Sequence, residues 1–216
     1  MTHRRLVVYS DYVSPSCYLA DAEVGRLLRE PGMRVDAAAF ELRPPGTGPL
    51  SMDDPGMRQR WADIEPLAQQ LGVRMQYPRF MTRTRKAHEA VAWARERGAD
   101  RTLHEAVFRA YWQEGRDIGR IDVLMQLAGE LGLDAMGLKV ALDIDQYTGR
   151  VERDEAAAAL LRLRDVPAYV LVASAPGETG AGEEQDDGRD GLAVAVRMGL
   201  QRFMELRDWV AGDNDV

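Results

Sequence analysis

Tyr9-Ser-Asp-Tyr-Val-Ser-Pro-Ser-Cys-Tyr-Leu19 joins two different kinds of sequence. Before it, Leu6-Val-Val-Tyr9 is a short β-branched run that reads as a buried strand. Within and after it, Leu19, Glu23 and Leu27 share one helical face, and Ala20, Val24 and Leu28 share another. A helix is therefore expected to start near Ser14, with Pro15 accommodated in its first turn. Arg34-Val-Asp-Ala-Ala-Ala-Phe40 supplies the next strand. A β-α-β unit this close to the start implies a parallel sheet covered by helix.

Outward from there, Glu41 to Pro55 is a Pro/Gly-rich connection, and Met57 to Arg164 reads almost wholly helical. Leu103, Val107 and Tyr111 recur every fourth residue, and Ile121, Leu124, Ala128 and Leu131 mark a further amphipathic face. Gly132 has the character of a helix C-cap and Asp134 that of the next N-cap. Strand character returns at Pro167–Val172 and Leu192–Val196, and Leu200, Phe203, Leu206 and Val210 describe a closing helix. The order β-α-β, helical block, β-β-α predicts one α/β domain (residues 1-55 and 165-216) interrupted by an all-α insertion (residues 56-164). A ligand is expected in the cleft between the two.

Composition narrows the function. The chain has 216 residues, 45% hydrophobic and 29% charged, with a net charge of -7 and one cysteine. That rules out a disordered or collagen-like chain, an intramolecular disulfide and a Cys-rich metal cluster. With only three histidines as well, no metal site is expected. The acidic balance argues against nucleic-acid binding. Pro176 to Gly191 carries six acids and one Arg, leaving 29 acids against 27 bases elsewhere, so it reads as a solvated loop. The apolar run Leu6–Tyr9 after Met1-Thr-His-Arg-Arg5 is too short for a signal core of about 7–15 residues or a membrane span of about 20. A cytoplasmic protein without membrane partners is the expectation, its lone thiol reduced.

The Tyr9–Leu19 segment resembles the active-site strand and helix start of DsbA-family proteins, in particular the FrnE-like branch. Glu41-Leu-Arg-Pro-Pro45, Thr84-Arg-Lys-Ala-His-Glu89 and Phe108 to Gly119 resemble further segments of that branch. Val166-Pro167 stands where the family has its cis-proline loop, and Gly199-Leu-Gln201 resembles the opening of its last helix. The resemblance implies a thioredoxin fold with a helical insertion and oxidoreductase ancestry. Members usually carry Cys-Pro-x-Cys, whereas this chain has Ser14-Pro15-Ser16-Cys17. It retains only the second, resolving cysteine, so the ordinary dithiol cycle is closed to it.

Two related families, the kappa-class glutathione transferases and the 2-hydroxychromene-2-carboxylate isomerases, place Ser at that first position, and Ser-Pro-Ser-Cys-Tyr-Leu19 is similar to their segment. Their resemblance implies that Ser14 hydrogen-bonds the thiol of bound glutathione, or of another small thiol. The helix N-terminus would then favour thiolate. Pro15, Ser16, and the backbone at Val166 beside Pro167 would hold the ligand, as a strand pairs with an edge. The expected reaction is isomerisation or transfer on a small hydrophobic or aromatic substrate. Residual monothiol chemistry through Cys17 is the runner-up, and a catalytically silent peptide or metabolite binder is a third reading. Many members pair, which makes a homodimer an expectation, though no apolar stripe in the sequence fixes an interface.

Plainer readings stand beside these. Ser14 serves equally as an N-cap, and Cys17 as a small buried thiol. His88 is either a structural histidine or an acid–base and substrate-contacting group. Arg83, Arg85 and Lys86 form either a solvated helix face or a group that meets an anionic ligand. Trp61, Trp93, Trp112 and Tyr111 read as insertion core. His3 and His104 carry no signal.

Overall fold

The computed structural model describes residues 4–48, 51–173 and 192–212. His3 and the acidic stretch 176–191 lie outside them. The elements are β1 (Arg4–Ser10), α1 (Pro15–Leu27), β2 (Val35–Ala39), α2 (Pro55–Leu71), α3 (Arg85–Arg95), α4 (Asp100–Trp112), α5 (Ile121–Glu130), α6 (Ala135–Asp143), α7 (Thr148–Leu160), β3 (Ala168–Ala173), β4 (Leu192–Met198) and α8 (Phe203–Ala211). Asp134 does cap α6, accepting from the Gly137 amide at 2.9 Å. Gly132, at φ +73°, follows Leu131, the C-cap of α5, and ends the helix in a left-handed turn.

The strands form one sheet in the order β2-β1-β3-β4. Parallel pairing holds only for β1 with β2; β3 runs antiparallel to β1, and β4 antiparallel to β3. The sheet is thus mixed, where the first β-α-β unit alone implied a parallel one. Helical structure is also interrupted more than the periodicity indicated. Residues 72–84 and 113–120 are largely irregular, and the first of these carries Pro78. The two stretches touch at Gly119, where a Cβ would lie 2.8 Å from the Arg83 carbonyl oxygen, so only glycine fits.

One core cluster runs through Val7 and Tyr9 of β1, Cys17 of α1, Trp93 of α3, Phe108 and Trp112 of α4, Leu124 of α5, Leu138 of α6 and Val170 of β3. The inserted helices therefore share their apolar interior with the sheet. Trp93, Tyr111 and Trp112 are each 1% exposed, whereas Trp61 is half-buried and meets Tyr77 edge-on. On the other face of the sheet, Ala20, Val24 and Leu27 of α1 pack with Leu206 and Val210 of α8. Glu23, buried between those two helices, accepts from the Phe203 amide at 2.5 Å and from Arg26 at 2.8 Å.

An apolar stripe does exist. Met136, Val140 and Ile144, four residues apart along α6, are 61%, 56% and 65% exposed. Leu138, Ala141 and Leu142 of the same helix are buried, so α6 is apolar on two faces and its sequence does not show which one is covered.

Candidate active site

The N-terminus of α1 is built by local chemistry. Ser14 has extended backbone (φ -88°, ψ 117°), and its hydroxyl accepts from the Cys17 amide at 3.2 Å, while Pro15 opens the helix. The Ser14 amide donates to the Asp11 carbonyl at 3.1 Å, closing the turn out of β1. Pro15 and Ser16 are half-buried and Ser14 is buried; Cys17 lies one turn in at 1% exposure. Burial pushes the Cys17 thiol up to about 12, against a smaller downward pull from hydrogen bonds to Ser14 and the Asp11 backbone. At neutral pH it is a protonated, enclosed thiol, which is the opposite of a reactive cysteine. A disulfide reagent such as 5,5′-dithiobis(2-nitrobenzoate) is expected to leave Cys17 untouched in the folded chain and to react stoichiometrically in denaturant. Prompt reaction under native conditions would show that the thiol is accessible after all.

The cis-proline segment closes on the same end of the sheet. The pairing of Tyr9 with Ala168 puts Pro167 across from Ser10, four residues before Ser14. The Val166–Pro167 bond is cis, and Val166 shares the core cluster with Val13 and Cys17. The Pro167 carbonyl accepts from the Gly199 amide at 2.8 Å, which brings Gly199-Leu-Gln201 alongside. The Val166 amide is engaged by the Asp165 carboxylate at 2.8 Å.

A buried polar cluster underlies the turn. Asp11, fully buried, accepts from the Leu42 amide at 2.7 Å, and its other oxygen faces His88 Nε2 at 3.7 Å. That spacing is too long for a direct hydrogen bond. The His88 ring lies 4.7 Å from that of Tyr12. Tyr12 in turn pairs with His104 Nδ1 at 2.9 Å, His104 Nε2 meets Asp21 at 3.2 Å, and Arg101 grips Asp21 at 2.7 and 3.2 Å. Burial raises Tyr12 well above the usual phenol range, so it remains a hydroxyl donor. For Asp21, burial works upward but His104 and Arg101 outweigh it and hold the carboxyl below its ordinary value.

Of the residues marked from sequence, Ser14, Pro15, Ser16, Cys17, Val166 and Pro167 come together at one end of the sheet. His88 is drawn in behind them against Tyr12. Arg85 is not free: it pairs with buried Glu41, with Glu155 at 3.0 Å and, more loosely, with Glu152 at 3.9 Å. Its neighbours are equally occupied. Arg83 donates to the carbonyls of Arg43, Pro44 and Thr47, and Lys86 pairs with Glu89 at 2.8 Å and Asp145 at 2.5 Å. The trio is thus neither a plain solvated face nor an open anion site. Asp11, Tyr12, Asp21, Glu41 and His104 carried no individual signal in the sequence. A groove of about 660 Å³ does open between α1 and α4, but neither Ser14 nor Pro167 lines it. Among the described residues no group of three or more His, Cys, Asp or Glu is arranged to hold a metal ion, and no helix is long and apolar enough to cross a membrane.

The family model of the DSBA-like thioredoxin domain matches residues 5–199. The chain belongs to the DSBA-like thioredoxin family. This DsbA-like chain is 35% identical over 144 residues to the protein YwbO of Bacillus subtilis (strain 168), covering 65% of the chain and 72% of YwbO, which is described as uncharacterized. Its fold is that of the 2-hydroxychromene-2-carboxylate isomerase structure (TM-score 0.68, 17% identity, 96% of this chain and 94% of that one). It is also that of the cytosolic disulfide reductase DsbM from Pseudomonas aeruginosa with GSH (TM-score 0.67, 18% identity, 98% and 100%). The thioredoxin fold with a helical insertion is thereby shown, and the relatives are oxidoreductases and an isomerase.

Proposed function

We propose that this DsbA-like protein is a cytoplasmic enzyme that holds glutathione or a similar small thiol at Ser14 and the Pro167 loop, and uses it for isomerase or transferase chemistry on a small substrate. One observation carries the reading: the helix N-terminus where the family places its nucleophilic cysteine carries the Ser14 hydroxyl instead, while Cys17 is enclosed and held protonated. A bound thiol would supply the nucleophilic sulfur that the chain does not present. The Ser14 oxygen accepts from the Cys17 amide, and its O–H would donate to the bound sulfur once a ligand draws it away from the Cys17 thiol. That donor and the positive end of α1 would favour an anion placed before the helix. The Val166 amide would serve a peptide backbone only after Asp165, which is exposed, releases it. His88, packed against Tyr12 and facing Asp11, would act on the turn that positions Ser14. The isomerase and the GSH-bound reductase among the structural relatives support this reading by fold alone.

Calorimetry with reduced glutathione tests it. Wild-type protein is expected to bind, and Ser14→Ala to bind at least about tenfold more weakly, the loss of a hydrogen bond to a charged group. Because the substitution also removes an N-cap worth about 1 kcal/mol, Ser14→Gly, which costs the cap only a few tenths, serves as control and should lose binding equally. Absence of binding in the wild type, or full affinity in both variants, sinks the proposal.

A further inference from the structure

The groove between α1 and α4 has a chemistry that the thiol site does not use. Its walls are the outer face of α1, the turn at residues 71–74 after α2, and one stripe of α4. Arg26, Arg29, Arg74, Arg101 and Arg109 line it, against the acids Asp21 and Glu105, and both acids are taken up by Arg101 at 2.7 Å. Arg26 pairs with Glu23 and Arg109 with Glu114, the latter an exposed contact at 3.3 Å. Arg29 and Arg74, both exposed, have no carboxylate partner among the described residues. A chain with a net charge of -7 thus brings two unpaired arginines, beside three paired ones, around one concavity. Like charges held together without counter-charge are costly, and an anion between them offsets that cost. Ala22 and Gly25, both small, are among its lining residues, so a flat or apolar body has room beside them between the arginines.

We propose that this groove binds a small organic polyphosphate of nucleotide size, its body over Ala22 and Gly25 and its phosphates between Arg29, Arg74 and Arg109. Guanidinium forks match phosphate oxygens in pairs. A volume of about 660 Å³ lies within the range of small-molecule sites, and the arginines surround one hollow instead of running on as the stripe a nucleic-acid strand would need. Because Ser14 does not line the groove, the proposal stands apart from the thiol reading.

ADP is the probe, followed by calorimetry at low ionic strength, with inorganic pyrophosphate and a single-stranded oligonucleotide for comparison. ADP is expected to bind, to weaken as salt is added, and to lose at least about tenfold in affinity in Arg29→Glu and in Arg74→Glu, since each removes a charge-assisted contact and adds a repulsion. Ser14→Ala should leave ADP affinity unchanged, which separates this result from the fate of the thiol site. Arg120→Glu, a charge reversal outside the groove, should also leave it unchanged. Four results would overturn the proposal: no ADP binding at millimolar concentration, full affinity in Arg74→Glu, equal loss in Arg120→Glu, or tighter binding of the oligonucleotide than of ADP.

Discussion

Arg85→Ala is expected to lower the stability of the folded chain by about 3 kcal/mol, the loss typical of breaking one side of a buried ion pair. The Glu41 side chain is 1% exposed, and the Arg85 guanidinium is its charged partner. The pairs with Glu155 and Glu152 are more exposed and add little. Without Arg85 the carboxylate is left in a dry site or must take up a proton. Burial already holds Glu41 above its ordinary value of 4.5, with Arg85 pulling it back down. Between that value and the folded-state pKa the folded chain binds a proton that the unfolded chain has lost, so stability declines as pH rises through the window. Losing Arg85 moves the folded-state pKa further up and widens the window, so the deficit should be larger at about pH 8 than at about pH 5. Urea melts at the two pH values read this directly. A double variant, Glu41→Leu with Arg85→Met, should regain much of the loss, because an apolar pair needs no counter-charge. A single variant within about 0.5 kcal/mol of wild type, or a double variant worse than the single, would remove the pair from the list of what holds the fold together.

Trp112→Ala should cost about 3–5 kcal/mol, and thus lower the melting temperature by roughly 10 °C in a chain of this size. Trp112 ends α4 at 1% exposure, lies parallel to Tyr18 at 6.1 Å between centroids, and meets Tyr111 edge-on at 5.0 Å. Its indole N–H also donates to the Tyr12 carbonyl at 2.9 Å, so one side chain fastens the inserted helices to the turn that carries Ser14. Trp112→Phe keeps most of the ring but leaves that buried carbonyl without its donor, at a cost of about 1–3 kcal/mol. Thermal melts of both variants give the ordering. If alanine is no worse than phenylalanine, ring packing contributes little at this seam.

What the sequence revealed follows how local the governing chemistry is. Ser14-Pro15 at a helix start, Asp134 three residues before Gly137, and the β-branched runs of β1 and β3 are settled by neighbours in the chain, so they were readable without a fold. The family segments then placed the Val166–Pro167 loop opposite them. The buried cluster was not readable. His104 sits between Leu103 and Glu105 in α4 and takes its meaning from Tyr12, 92 positions away, and from Asp21. Arg83, Arg85 and Lys86 looked like a surface because their partners, Glu41, Glu155 and Asp145 among them, arrive from other elements. The α4 arginines are spaced like any solvated helix face. Only the approach of Arg29 and Arg74 from two other segments turns them into a groove.

Glu23 gives the order of events during synthesis a direction. Its carboxylate is buried in α1, yet one of its hydrogen bonds comes from an amide 180 positions later, at the first residue of the last helix. A nascent chain that has made the β1-α1-β2 unit therefore carries an acid it cannot yet bury without leaving it short of a donor. Until α8 leaves the ribosome, water has to serve in its place, and the face of α1 lined by Ala20, Val24 and Leu27 has only the sheet residues of its cluster to pack against, without Leu206 and Val210. A chain terminated just before Phe203 would keep the residues of the candidate active site and still lack the contact that lets its helix settle, which leaves such a fragment open to proteolysis.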